Sequence, residues 1–170
     1  MLHVALKLVT IAPEIDGAIE FIKYIESKGV IASIGHTGAT FDKCMEAVKA
    51  GARSVTHTLN GMRAFHQHEP SVLGAAALSG LYCEIICDGY HLHPRTVEML
   101  IRIKGTDKTI LVTDSIMAAG LSDGVYEGFI TVIVENGDAK LYDADIILVD
   151  EKLNVKMTIV NGKSVYDNLR

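Results

Sequence analysis

The chain has 170 residues and a formal net charge of -5, with 16 Lys and Arg against 21 Asp and Glu. Hydrophobic residues make up 49% of it and aromatic residues only 6%, which predicts one aliphatic core of ordinary domain size and excludes an intrinsically disordered chain. The mild acidic excess comes without Lys or Arg clusters, so we expect neither nucleic acid nor a membrane as a partner.

The first part of the chain alternates short β-branched runs with longer amphipathic segments. We predict strands at 8–11, 30–34, 54–57, 82–86 and 109–112, and helices at 15–28, 40–50, 72–78 and 94–104. Strands that alternate with helices at this spacing are typical of βα units, which build a parallel sheet. The fold class predicted for residues 1–123 is therefore α/β.

The pattern changes at about Gly124. Short strand-like runs follow at 129–132, 145–149 and 155–160, and tight turns are predicted at Asn136-Gly137 and Asn161-Gly162. Residues 124–170 are therefore predicted to form a small, separate β unit.

Polar side chains follow the predicted strands one after another. His57 ends the third predicted strand, and His36, His91 and Asp114 each follow a predicted strand. In a parallel α/β barrel these positions lie at the mouth where active sites form, and imidazole with carboxylate suits a divalent transition metal. Each residue alone also has a structural interpretation, a hydrogen-bonded histidine or an aspartate capping a helix. Their recurrence at successive strand ends favours a metal-dependent hydrolase.

The cysteines indicate the compartment. Cys44, Cys83 and Cys87 are odd in number and form no CxxC pair, as in reduced, cytoplasmic proteins. We interpret the three thiols as core-filling side chains. No signal peptide is recognisable at the start of the sequence.

Five motifs occur in a characteristic order. They are Gly35–Thr40 (GHTGAT), Thr56–Met62 (THTLNGM), Glu69-Pro70, Asp88–His91 (DGYH) and Val112–Ser115 (VTDS). With these motifs the chain, from about Leu8 onward, resembles the N-acetylglucosamine-6-phosphate deacetylases, a TIM-barrel family of the amidohydrolase superfamily. The resemblance implies hydrolysis of the acetamide of an amino sugar phosphate, with release of acetate and the free amine.

The resemblance also implies roles for individual residues. His36 and His57 would bind a divalent metal (Zn, Fe, Mn or Co), and Asp114 would act first as general base and then as general acid. The sugar phosphate would be contacted by Asn60, Gly61, His68, Asp88, Gly89, Tyr90 and His91, with His91 as a hydrogen-bond donor. The family further suggests a homodimer.

Three departures from the family pattern stand out. The family's remaining metal ligand, a Glu, lies in a motif upstream of this sequence. His68 occupies the place of an Arg that grips the phosphate, and Arg63 in the same loop is the alternative phosphate partner. Between Tyr142 and Asp143 the family carries a stretch of tens of residues, so we predict either unseen residues or a genuine deletion at this junction.

A complete (β/α)8 barrel takes about 250 residues, so this chain is predicted to form its last five strands followed by the β unit. The leading hypothesis is the C-terminal portion of an amino-sugar-phosphate deacetylase, incomplete as an enzyme by itself. Two alternatives remain open at this stage. One is a non-catalytic fragment or scaffold, and the other is an amidohydrolase acting on a different amide.

Overall fold

The computed structural model describes residues 6–127, 132–141, 146–149, 155–160 and 163–167. The chain divides into two compact units, Met1–Asp114 and Ser115–Arg170. The Tyr142–Asp143 junction, Phe129–Thr131 and the Asn161-Gly162 turn lie outside the described residues. Within the described part of the chain, no helix has the length and apolar character needed to cross a membrane.

The first unit is built on a five-stranded sheet. Its strands are β1 (Leu8–Ile11), β2 (Ile31–Ile34), β3 (Ser54–Val55), β4 (Tyr82–Ile86) and β5 (Thr109–Val112). Its helices are α1 (Ala18–Ser27), α2 (Phe41–Ala50), α3 (Ser71–Ala77) and α4 (Pro94–Lys104), with a short 3-10 turn at Thr106–Lys108. The strands lie in chain order and every neighbouring pair is parallel. The predicted α/β class and parallel sheet are confirmed.

Two helices begin on side-chain caps that satisfy free backbone N–H groups. The Thr40 hydroxyl accepts from the Lys43 N–H at the start of α2, and His93 Nδ1 accepts from the Arg95 N–H at the start of α4. Helix α2 ends at Ala50 and is followed by Gly51, whose φ of 117° lies in the region that glycine tolerates best. These local signals explain why α2 and α4 begin and end close to where the sequence predicts.

Helix α1 is shorter than predicted. The apolar pattern suggested a start at about Ile15, whereas the first helical residue is Ala18. Gly17 has a φ of 79°, which no right-handed helix contains, and the Ile15 side chain is 61% exposed. The segment between β1 and α1 is therefore a loop.

Strand β3 is also shorter than predicted, because the chain leaves the ladder after Val55. Residues 54–57 were expected in the strand, but His57 has a φ of 33° and its N–H donates to the Glu84 carboxylate, 3.3 Å away. A strand residue would have an extended backbone. His57 therefore belongs to the turn that follows β3.

The core of the first unit is aliphatic, as the composition predicts. Ile22, Ile34, Ile85 and Leu100 are fully buried, and alanines fill the space between helices and sheet. The inner strands β2, β3 and β4 are mostly buried. The edge strands β1 and β5 are partly or fully exposed along their length.

The cysteines divide into two groups. Cys44 and Cys83 lie in the core, and burial raises the pKa of the Cys44 thiol to about 12. Cys87, just after β4, is exposed, and its thiol donates weakly to the Ile85 carbonyl at 3.9 Å. The interpretation of all three thiols as core-filling side chains is thus wrong for Cys87, because β4 ends at Ile86 and the next residue lies at the surface.

The described residues of the second unit form two antiparallel three-stranded sheets. One consists of β6 (Gly124–Tyr126), β7 (Val132–Glu135) and β8 (Asp138–Leu141), and the other of β9 (Ile146–Val149), β10 (Val155–Val160) and β11 (Lys163–Asp167). The predicted Asn136-Gly137 turn joins β7 to β8, with φ values of 55° and 79°. Two successive positive φ angles define the hairpin turn that Asn-Gly favours.

Candidate functional site

Three of the predicted site residues share one backbone geometry. His36, His57 and Asp114 each lie two residues beyond the end of a strand (β2, β3 and β5), with φ values of 48°, 33° and 51°. They are half of the six non-glycine residues with positive φ in the described part of the chain. Such angles are unfavourable for residues with a Cβ and concentrate at functional sites. Asp88 follows β4 at the same offset.

His36 and His57 lie side by side. Their ring centroids are 5.7 Å apart and the rings are nearly perpendicular, at 84°. The Nδ1 atom of His57 is buried, and no hydrogen-bond partner for it is found among the described residues. A zinc ion lies about 2.0–2.1 Å from a ligating imidazole nitrogen, so two rings at this separation can reach one ion. The two side chains fit a shared metal, which would also satisfy an orphaned nitrogen.

The structure does not complete a larger donor set around these rings. Among the described residues, no group of three or more His, Cys, Asp or Glu side chains lies close enough together to hold a metal. Asp114 is exposed at its strand end, and no helix follows β5 directly for it to cap. The Asp114 carboxylate is therefore exposed and caps no helix.

The turn after β3 packs directly on the His36 ring. Gly61 has a φ of 57°, and a Cβ placed on it would lie 2.8 Å from both Nδ1 and Cε1 of His36. Asn60, predicted to contact substrate, donates both its backbone N–H and its side-chain amide to the His57 carbonyl, at 2.9 and 3.2 Å. The Asn60 amide nitrogen therefore stabilises the turn that presents His57.

A second close approach lies beneath His36. A Cβ on Gly35 would lie 2.6 Å from the Thr10 methyl carbon and 2.9 Å from Thr56 Cβ, so only glycine fits. The Thr56 hydroxyl makes hydrogen bonds with Thr10, at 2.9 Å, and with Ser33, at 2.6 Å. Sequence reasoning missed this hydroxyl cluster, although a Thr or Ser in three neighbouring segments is the signal that could have indicated it.

Asp88 and His91 form a compact hydrogen-bonded pair. Asp88 Oδ1 accepts from the backbone N–H groups of Tyr90 and His91, both at 2.9 Å, and Oδ2 lies 2.6 Å from His91 Nδ1. The pKa of Asp88 is lowered to about 2, mainly by the hydrogen bonds that it accepts from the backbone N–H and the side chain of His91. An ionised carboxylate can only accept, so His91 Nδ1 carries a proton and Nε2 points away from Asp88. Gly89 and the largely exposed Tyr90 complete this loop.

The loop between β3 and α3 carries the candidate phosphate-binding residues. His68 is exposed, and its Nε2 lies 3.3 Å from the amide nitrogen of Gln67. Arg63 donates its Nε to the Gly38 carbonyl at 2.7 Å and its backbone N–H to the Thr37 carbonyl at 2.9 Å. Arg63 therefore braces two loops through Nε, and no hydrogen bond from its terminal nitrogens is found within the described residues.

Glu69 closes the same loop onto helix α2. Its Oε1 accepts from the N–H groups of Phe41, at 2.7 Å, and Ser71, at 3.0 Å. These hydrogen bonds, with that from Phe41 the larger, lower the pKa of Glu69 below its ordinary value. The carboxylate thus stabilises the first turn of α2.

Comparisons with known proteins agree in sequence and in fold. No protein-family model matches the chain. It is 44% identical over 143 residues to an N-acetylglucosamine-6-phosphate deacetylase of Bacillus subtilis, covering 83% of this chain and 36% of the relative. It is 39% identical over 132 residues to an N-acetylgalactosamine-6-phosphate deacetylase of a Shewanella strain, covering 77% of this chain and 33% of the relative.

A solved structure supports the same relationship. A mutant N-acetyl-D-glucosamine-6-phosphate deacetylase from Mycobacterium smegmatis, in complex with N-acetyl-D-glucosamine-6-phosphate, superposes with a TM-score of 0.78 at 26% identity. The match covers 94% of this chain and 57% of the mycobacterial one. The chain spans about a third of the length of the curated relatives it matches. Over that portion, the chain is a homologue of the N-acetylglucosamine-6-phosphate deacetylases.

Proposed function

We propose that this chain supplies the metal-binding histidines and the general base of a deacetylase acting on an N-acetylated hexosamine 6-phosphate. The observation that carries the proposal is the convergence of His36 and His57, whose rings lie 5.7 Å apart at the ends of adjacent parallel strands. Relatives named as deacetylases of N-acetylhexosamine 6-phosphates supply the substrate class.

The five-stranded sheet is proposed to be an arc of a (β/α)8 barrel. Its strands are parallel and in chain order, as in such a barrel, and both edges of the arc carry exposed apolar residues such as Leu8, Ile110 and Leu111. Unpaired edges of this kind are covered in a closed barrel. The remaining strands would come from sequence that the relatives possess beyond the matched portion.

In the proposed site, His36 and His57 hold a divalent metal through ring nitrogens. When bound, such a metal supplies Lewis-acid polarisation of the acetamide carbonyl and acidifies water. Among the described residues no third His, Cys, Asp or Glu completes a donor set with these two rings, so we propose that a further ligand comes from outside this part of the chain. The resemblance to the family implies that this ligand is a Glu.

Asp114 is proposed as the general base that takes a proton from water and then returns it to the departing amine nitrogen. An exposed, unpaired carboxylate at a strand end suits this double role, because the amine must be protonated to leave. Because Asp88 fixes Nδ1, His91 presents Nε2 for the sugar or acetamide oxygen. Nε2 donates to that oxygen only when the imidazole is protonated.

The identity of the hexosamine is open between two epimers, since the relatives include deacetylases named for glucosamine and for galactosamine derivatives. We favour N-acetylglucosamine 6-phosphate, because the Bacillus relative shares more identity with this chain. A chimera decides the question: this chain replaces the matched portion of the Bacillus enzyme, and acetate release is measured with both sugar phosphates. A folded, metal-loaded chimera that releases acetate from neither compound would refute the proposed function.

A further inference from the structure

A carboxylate outside the proposed donor set holds the loop that carries His36. Glu14 lies three residues beyond β1, after the buried Pro13. Its Oε1 accepts from the Gly38 N–H at 2.7 Å, and its Oε2 accepts a short hydrogen bond from the Thr37 hydroxyl. Thr37 and Gly38 are the two residues that directly follow His36. Glu14, in the loop after the neighbouring strand β1, therefore fixes the residues that follow His36.

The same turn depends on further contacts that converge on Thr37. The Thr37 side chain is almost completely buried, and its hydroxyl oxygen also accepts from the Ala39 N–H at 3.0 Å. The Thr37 carbonyl accepts from the Arg63 N–H. Because the hydroxyl and the carbonyl of Thr37 are both hydrogen-bonded, the position of Glu14 determines the position of the backbone next to His36.

This support offsets a real conformational cost. A φ of 48° at a histidine is a sparsely populated, unfavourable conformation that persists only where the surroundings fix it. Burial raises the pKa of Glu14, but the hydrogen bonds from Thr37 and the backbone, with the positive charge of Arg63, outweigh it and hold the pKa below its ordinary value. Glu14 is therefore ionised at neutral pH, and hydrogen bonds to an ionised acceptor are the stronger kind.

We propose that Glu14 is a positioning residue for His36, which holds the imidazole in its metal-binding orientation through Thr37 and Gly38. The inference rests on the proposed function, since it takes His36 as a metal ligand. Glu14 is not a ligand itself, because both of its oxygens are engaged by the loop and it belongs to no three-donor cluster among the described residues.

The first test reads the His36 ring without any metal. The imidazole resonances of His36 are recorded by long-range ¹H–¹⁵N NMR in the wild-type chain, in Glu14→Gln, in Thr37→Val and in the variant that combines these two substitutions. The matched control is Asp16→Asn, an exposed carboxylate two residues further on, for which the described part of the chain shows no hydrogen bond. We expect both loop variants to shift the His36 resonances, the double variant to add little to the larger single effect, and the control to leave them in place. Unchanged His36 resonances in a folded Glu14→Gln chain overturn the inference.

The second test is a Co²⁺ titration of the same variants made in the chimera with the Bacillus enzyme, and the bound metal is detected by its visible absorption. We expect Glu14→Gln to weaken Co²⁺ binding about tenfold, as is usual for residues that orient ligands, and Asp16→Asn to bind as the wild type does. Equal affinity in wild type and Glu14→Gln also overturns the inference. A folded wild-type chimera that binds no Co²⁺ counts against the proposed function instead, and the NMR result then decides the role of Glu14.

Discussion

Gly61 and His36 are in direct contact across two loops, with no room for a side chain between them. A Cβ on Gly61 would lie 2.8 Å from Nδ1 and from Cε1 of the His36 ring, closer than real Cβ contacts come. Gly61, predicted to contact the sugar phosphate, thus also sets the position of a proposed metal ligand. Its φ of 57° adds a second reason for glycine at this place.

Gly61→Ala is therefore expected to displace the His36 ring and to weaken Co²⁺ binding by roughly one to two orders of magnitude, the range typical for lost ligand orientation. Its positive φ also costs roughly 1 kcal/mol or more of stability, which thermal unfolding measures. The control is Gly80→Ala, where φ is not positive and an added Cβ has open space within 4 Å. Unaltered metal affinity in Gly61→Ala would show that His36 does not need this contact.

Asp114→Asn, made in the chimera with the Bacillus enzyme, is expected to abolish acetate release while leaving the metal content unchanged. The amide keeps the shape of the carboxylate and loses its basicity, and a positioned general base contributes about 10²–10⁴ in rate. Metal content is measured by atomic emission and turnover by released acetate. Asp16→Asn is the control, and near-normal turnover in Asp114→Asn would remove Asp114 from the catalytic role.

The periodic patterns were sufficient to predict the sheet and most helix bounds. Strands β4 and β5 and helix α4 have the predicted bounds. A β-branched run favours a strand, and an amphipathic stretch with a Pro at its start favours a helix that begins at that Pro. Gly17 and His57 mark the places where hydrophobic periodicity predicts the wrong bound for a helix and for a strand. The positive φ of each ends an element that hydrophobicity alone would extend.

The candidate site was only partly predictable, for a related reason. Strand ends locate His36 and His57, and a parallel sheet requires these ends to be adjacent. The Glu14, Arg63 and Glu69 contacts depend on how three separate loops fold over one another, and no spacing in a single sequence encodes such contacts.

His68→Arg is expected to lower the KM of the chimera for the sugar phosphate several-fold, with little effect on kcat. A guanidinium stays charged and can donate two parallel hydrogen bonds to phosphate, whereas an imidazole donates at most one to it. Gln67→Arg adds the same charge at the next residue and serves as the control. If both substitutions lower KM equally, the gain comes from general charge and His68 does not face the phosphate.

Cys87 is expected to be the fast-reacting thiol among the described cysteines. It is exposed, whereas Cys44 and Cys83 are fully buried, and burial raises the pKa of both core thiols. Since the thiolate is the reactive form, a thiol reagent such as DTNB should modify one cysteine rapidly in the folded chain and all three after denaturation. Cys87→Ser should remove the rapid phase, and a rapid phase that persists would contradict the burial of Cys44 and Cys83.

The Asp88–His91 pair is expected to survive mild acid. The folded pKa of Asp88, about 2, lies below its ordinary value of 3.8, so the stabilisation it provides is complete above pH 3.8 and is lost as the pH falls through about 2. The carboxyl ¹³C resonance of Asp88 should therefore titrate near pH 2, and the Tyr90 and His91 amide resonances should move with it.

The substitution Asp88→Asn tests the same pair at neutral pH. An Asn side chain has only one acceptor oxygen, whereas the two oxygens of Asp88 share the contacts with Tyr90 and His91. The His91 ring should then lose its fixed tautomer, visible as mixed Nδ1 and Nε2 signals at neutral pH. A single unchanged tautomer in Asp88→Asn would mean that another group orients His91.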